Sequence, residues 1–138
     1  MTLDEIVRWW EGLTRESVAE IDRYYVPDAW FKDPFNEVTG IEAVRRIFAH
    51  LFDQVECPRF RVLGRWQDAR GAMLLWEMDF GFRGAPWTIR GATHLEFAPD
   101  GRISRHRDYW DAAEELYAKL PGLGLLMRCL RRRGTATS

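Results

Sequence analysis

The chain has 138 residues, 46% of them hydrophobic, 14% aromatic and 30% charged, with a formal net charge of −1. That length makes one domain able to remove roughly two thirds of its extended-chain surface from water, and the near-zero charge gives no global attraction for nucleic acid. Two cysteines, Cys57 and Cys129, lie far apart without paired spacing, which argues against a disulfide framework or a zinc site and fits a reducing compartment.

At the N-terminus, Met1-Thr2-Leu3-Asp4-Glu5 is acidic where a signal peptide would be basic, and no apolar run in the chain reaches the roughly 18 residues of a membrane span. A soluble cytoplasmic protein without stable membrane insertion is expected. Thr2 and Glu5 make a capping-box pair, after which Leu3, Ile6, Val7 and Trp10 recur at helical spacing up to Gly12. A second helix is predicted from about Thr14 to just before Pro27, with Val18, Ile21, Tyr24 and Tyr25 as its apolar face. Ala29 to Pro34 alternates as a short strand. Thr39 and Glu42 form another capping-box pair ahead of Ile41, Val44, Ile47, Phe48 and Leu51, an amphipathic third helix.

From Pro58 the period switches to two. Four strands follow, broken at Asp68 to Gly71, Arg83 to Pro86 and Asp100-Gly101. Turns this short imply antiparallel neighbours. On the second strand, Trp76, Met78, Phe80 and Phe82 share one face, and Glu77, Asp79 and Arg83 the other. Asp111 with Glu114 caps a last helix ending near Pro121-Gly122, and Leu123 to Leu130 is a further apolar stretch leading into Arg131-Arg132-Arg133. The reading is one α+β domain over residues 1–120, in which three N-terminal helices cover a curved antiparallel sheet, plus a helical extension with a basic tail over 121–138.

Asp33 is the sharpest chemical feature, because alternation sets this carboxylate on the same face as Phe31 and Phe35, with Trp30 and Lys32 opposite. Pro34 holds it extended at a strand end. A carboxylate drawn out of water there is a candidate general acid or base, and the competing reading is an Asx-type turn residue that caps its own loop. The last strand carries His106, Asp108 and Trp110 on one face, alternating with Arg105, Arg107 and Tyr109. Either face could be the inner one; if the first is, Asp108 stands one strand step from His106 and can orient its imidazole. His94 shares a face with Arg90 and Glu96, and His50 lies off the apolar helix stripe, so neither is given a role. No phosphate loop, no His-Glu-x-x-His, no Gly-x-Ser-x-Gly and no metal-ligand spacing occurs, so neither a cofactor nor a metal is expected.

The order of elements, with Asp33-Pro34-Phe35, Thr39-Gly40, Gly101-Arg102-Ile103 and Tyr109-Trp110, resembles the nuclear transport factor 2-like superfamily over about residues 3–118. Within it, SnoaL-like proteins and ketosteroid isomerases are the most similar, the latter carrying a comparable Glu-Asp-Pro-Phe motif before the third helix. The resemblance implies an α+β cone, often dimeric. It puts the isomerase base on Asp33, and it puts Trp9 and Thr93 where those enzymes have a tyrosine and a protonated aspartic acid as oxyanion donors. It also turns Trp110 inward, and with it His106 and Asp108.

These readings lead to a cofactor-independent acid/base enzyme for a small hydrophobic, carbonyl or polycyclic compound. Asp33, His106 and Asp108 are its expected catalytic groups, and Trp9, Phe31, Phe35, Trp76, Met78, Phe80, Thr93 and Trp110 its expected pocket wall. The alternatives are a non-catalytic binder of hydrophobic ligands and a dimeric scaffold whose own side chains fill the cone. A small molecule and a second copy of the chain are the expected partners, and nucleic acid is not.

Overall fold

A computed structural model describes residues 1–116, so the helical extension expected over 121–138, with its arginine run, lies outside the described residues. The elements in chain order are helix α1 (Leu3–Glu11), a 3-10 segment (Ser17–Arg23), strands β1 (Tyr25–Lys32) and β2 (Glu37–Thr39), helix α2 (Ile41–Gln54), strands β3 (Glu56–Asp68), β4 (Gly71–Phe82), β5 (Ala85–Phe97) and β6 (Ile103–Tyr109), and a short α3 (Ala112–Glu115). No helix among the described residues is long and apolar enough to cross a membrane.

The caps and stripes decide the helices. The Thr2 hydroxyl accepts from the Glu5 backbone N–H while the Glu5 carboxylate accepts from the Thr2 N–H, closing the capping box, and Leu3, Ile6, Val7, Trp9 and Trp10 are buried. The second helix is shorter and tighter than the spacing predicts. Thr14 and Ser17 exchange side-chain bonds with each other's backbone N–H, Val18 and Ile21 are buried, and the segment ends at Arg23. Tyr24 and Tyr25 are claimed by the sheet instead, since the Tyr24 carbonyl accepts the Ile103 N–H at 2.7 Å and Tyr25 pairs with Ile103. Pro27 sits inside β1 in the register break between Tyr25 and Trp30, where a missing N–H leaves no ladder bond unmade.

The predicted Thr39–Glu42 cap does not form. Thr39 ends the unforeseen strand β2, paired with Trp30, and the helix starts from Gly40, whose φ of +105° turns the chain from strand to helix in one residue. Val44 and Phe48 are then the buried positions of α2.

The strands form one curved, unclosed sheet in the order β2-β1-β6-β5-β4-β3, antiparallel throughout except for the parallel pair β1–β6. This is the α+β cone expected, although the parallel pair that joins the first long strand to the last was not legible from turn lengths. The helices cover the inner face, where Leu74, Trp76, Met78 and Phe80 of β4 and Ile89, Thr93 and Leu95 of β5 are buried. Trp76 lies flat over Gly91, its cross-strand partner; a Cβ at position 91 would come within 2.5 Å of the indole. The outer face is charged toward one end, where Arg61 meets Glu77 and Asp79, and apolar at its centre, where Met73, Leu75 and Tyr109 are exposed. Asp111 caps α3, as its spacing with Glu114 predicts, and Arg90 of β5 reaches Glu115 at 2.8 Å.

Candidate functional site

Register places the polar groups of the interior. Leu95 and Thr93 of β5 stand opposite His106 and Asp108 of β6, and Phe31 of β1 stands beside His106 on the other side. Alternation therefore sends His106 and Asp108 inward, and Arg105 and Arg107 outward, Arg105 lying over the Trp30 ring at 4.0 Å.

His106 is 0% exposed. Rings enclose it: Phe31 at 4.6 Å, Trp10 at 5.3 Å, Tyr25 at 6.0 Å and Phe48 at 6.3 Å between centroids. Both its nitrogens are engaged, Nδ1 with the Tyr25 hydroxyl at 2.8 Å and Nε2 with Asp108 Oδ1 at 2.6 Å. The Thr93 hydroxyl donates to the same Oδ1 at 2.6 Å and accepts the Trp76 indole N–H at 2.8 Å. Two donor lines, one through His106 and one through Thr93, thus end on a single carboxylate oxygen. Asp108 Oδ2 takes no hydrogen bond among the described residues, and the side chain keeps 16% of its surface exposed.

Tyr25 is buried with this network, and burial first, then the Asp108 charge, pushes its phenol well above the ordinary tyrosine range. The Trp10 indole N–H acts in the opposite direction. It comes near the phenol oxygen without reaching hydrogen-bond geometry, and no other acceptor partners it among the described residues.

Asp33 occupies the turn that its competing reading predicts. Its Oδ1 accepts from the backbone N–H groups of Phe35 at 2.8 Å and Asn36 at 2.7 Å, and the Asn36 amide spans both carboxylate oxygens at 3.1 and 3.2 Å. Even so, it lines a shallow, open depression of about 490 Å³ at the ends of β1 and β6, together with Lys32, Pro34, Arg107, Asp108, Tyr109, Trp110 and Asp111, so that both faces of the sheet edge contribute to it. Phe35 is exposed and meets Trp110 edge-on at 5.5 Å beside it.

The other expected wall residues divide. Trp76, Thr93 and Phe31 join the His106–Asp108 cluster, and Met78 and Phe80 are buried in the sheet's inner layer. Trp9 sits one ring further out, edge-on to Tyr25 at 6.3 Å and Phe48 at 5.9 Å; its indole N–H donates to the Ser17 carbonyl at 3.1 Å and its ring stacks on Tyr24 at 4.6 Å. His94 is half-buried and His50 exposed. Among the described residues, no three His, Cys, Asp or Glu side chains gather as a metal ion would require. Sequence reasoning missed Tyr25, whose helical spacing with Val18 and Ile21 disguised it. Extending the alternation of Ala29, Phe31 and Asp33 backwards along the strand would have put it on their face.

A family model described as a SnoaL-like domain matches residues 6–106, a span that contains Asp33 and ends at His106. No curated protein matches the sequence. Solved structures share the fold at low identity. A hypothetical protein with a ketosteroid isomerase-like fold from Catenulispora acidiphila, in complex with trimethylamine, is 16% identical, with a TM-score of 0.70 over 84% of this chain and 92% of that one. A putative SnoaL-like polyketide cyclase from Jannaschia is 17% identical, with a TM-score of 0.70 over 81% and 86%. An LEH-like epoxide hydrolase from M. tuberculosis is 17% identical, with a TM-score of 0.68 over 90% and 92%.

Proposed function

Because the chain belongs to the SnoaL-like domain family and brings a carboxylate with one uncommitted oxygen to the edge of a pocket, we propose that it is an acid/base enzyme for a small hydrophobic, carbonyl or polycyclic compound. Asp108 is the reacting group. The observation that carries this reading is the loading of Asp108 Oδ1 by both His106 and Thr93, with Oδ2 left over. A carboxylate so held is oriented before substrate arrives, and orientation is a main part of what an acid/base group contributes.

Asp108 would take a proton from a carbon next to a carbonyl, or from an attacking water, and return it elsewhere. Asp33, on the same pocket, is the second carboxylate, and its Oδ2 is the oxygen less occupied by the turn. His106, enclosed and engaged at both nitrogens, holds Asp108 and does not touch substrate. Trp110 gives the pocket an apolar wall, and its indole N–H, which takes no acceptor among the described residues, is a donor for a carbonyl oxygen. The relatives named as a polyketide cyclase and an epoxide hydrolase support chemistry of this class. A second copy of the chain, docking on the apolar centre of the outer sheet face around Leu75 and Tyr109, is the proposed partner.

A non-catalytic reading is favoured by one observation, the burial of Phe31, Trp76, Met78 and Phe80 in packing behind the pocket, which leaves the cone closed around them. The two readings separate on a panel of cyclic ketones, β-diketones, lactones and epoxides, followed by mass spectrometry and by deuterium uptake from heavy water. The expected result is turnover or exchange of at least one compound by the wild type and a loss of about 100-fold or more in Asp108→Asn, with a smaller loss in Asp33→Asn. Full activity in Asp108→Asn, or no reaction of any compound, overturns the proposal.

A further inference from the structure

We propose that Tyr25 is a positioning residue for Asp108: its phenol donates to Nδ1 of His106, locks the imidazole as the Nε2–H tautomer, and so aims a donor at Asp108 Oδ1 that leaves Oδ2 to react. The role given to Asp108 rests on the functional reading above, whereas the tautomer follows from the geometry.

Among the described residues, the titratable partners of His106 are Tyr25, from β1, and Asp108, from its own strand; the other side chains packed against it there are Trp10 of α1, Phe48 of α2, Phe31 of β1 and, across the ladder, Leu95 of β5. Tyr25 is 1% exposed, and its hydroxyl has a single proton to give. The Trp10 indole near the phenol oxygen is itself a donor and cannot take that proton. Nδ1 of His106 is the acceptor in reach at 2.8 Å. Nδ1 is therefore the bare nitrogen, and the ring's one proton sits on Nε2, 2.6 Å from the carboxylate.

With Nδ1 taken up as an acceptor, the ring has one N–H to give, and Asp108 Oδ1 receives it beside the Thr93 hydroxyl. A protonated ring would put an N–H against the Tyr25 hydroxyl, whose own proton would then face no acceptor among the described residues, in a layer of rings. The phenol is what makes that state costly at a site buried from solvent, where His106 is 0% and Tyr25 1% exposed. Helix α1 supports the arrangement from behind, since Trp10 confronts the phenol oxygen with a donor, the one kind of group that cannot draw its proton away from His106.

The test uses the full chain labelled with 15N-histidine. Long-range proton–nitrogen correlation spectra report which ring nitrogen of each His is protonated, His50 and His94 serve as internal references, and a His106→Gln spectrum assigns the third. The expected wild-type result at neutral pH is His106 protonated at Nε2 and bare at Nδ1. In Tyr25→Phe the Nδ1 resonance moves toward that of a nitrogen accepting no hydrogen bond, and kcat on the responsive compound falls about tenfold with little change in KM, the size expected for one lost orienting bond.

A wild-type His106 protonated at Nδ1 or at both nitrogens overturns the inference, and so does an Nδ1 resonance unmoved in Tyr25→Phe. The first of these needs no variant to fold. Because the spectrum is read without turnover, its failure removes the role of Tyr25 alone, whereas an unaffected Asp108→Asn enzyme removes the functional reading and leaves the tautomer standing.

Discussion

Replacing Thr93 by valine tests the second donor line to Asp108 with almost no change of shape. Thr93 is fully buried, donates to Asp108 at 2.6 Å and accepts the Trp76 indole N–H at 2.8 Å. Valine removes both bonds. The lost bond to a carboxylate costs about 1.5–3 kcal/mol, and the indole N–H left buried without an acceptor costs about 1–3 kcal/mol. The sum, about 2.5–6 kcal/mol, is a large share of the roughly 5–15 kcal/mol that holds a domain of this size together.

Urea titration of Thr93→Val reads this loss as a lower midpoint at unchanged slope. A double-mutant cycle with Trp76→Phe divides it, because once the indole is gone its orphaned donor no longer counts. The double variant is expected to be more stable than the sum of the singles by about 1–3 kcal/mol. A loss under about 1 kcal/mol in Thr93→Val, or strict additivity in the cycle, refutes the claim that Thr93 bridges the indole to the carboxylate.

Two further outcomes follow from the buried phenol and the outer sheet face. Burial, and then the Asp108 charge, raise the Tyr25 value well above the 10.0 of a free tyrosine. Above about pH 10 the unfolded chain gives up a proton that the native state keeps, so this contribution to stability is full below that pH and is lost as pH climbs from there toward the higher native value. Denaturant titrations at stepped alkaline pH should show that slope in the wild type and less of it in Tyr25→Phe, and equal slopes would remove the assignment. On the outer face, Leu75 is 45% exposed beside Ala92 and Tyr109 along one cross-strand row. Light scattering should give a dimer of the 16.3 kDa chain that Leu75→Glu converts to monomer, since a charge at an isologous contact meets its own copy; a monomeric wild type, or a dimer indifferent to the charge, rejects that partner.

What was legible in the sequence was whatever local pattern decides. The α1 capping box, the α2 stripe and the long strands β4 and β5 with their turns each depend on spacing within a dozen residues, whereas alternation left both faces of β6 open and only the family resemblance pointed to His106 and Asp108 as the inward set. What was not legible depends on partners far along the chain. Tyr25 has good helical spacing with Ile21, and only the parallel pairing with Ile103 pulls it into β1. Thr39 has a cap's spacing to Glu42, and pairing with Trp30 claims it for β2. The same limit holds in the candidate site. Alternation could put Asp33 on the Phe31 face, but whether its oxygens meet the pocket or the loop depended on the Phe35 and Asn36 amides closing back on it.

The two carboxylates of the pocket differ in what loads them, and that difference decides which is proposed to react. Asp33 is held by groups two and three residues ahead of it, which is the local bonding of a turn. It would be made in a protein with no ligand at all. Asp108 is held by Thr93 from the neighbouring strand on one side and by His106, itself held by Tyr25 from the neighbouring strand on the other. Burying a phenol, an imidazole and a hydroxyl among aromatic rings stabilises nothing that apolar side chains of the same size would not stabilise as well, because each polar group must first recover its lost hydration. What the polar set does supply is direction. It anchors one oxygen of a carboxylate that lines the pocket and leaves the other uncommitted, and a turn residue whose bonds serve its own loop has no comparable arrangement behind it.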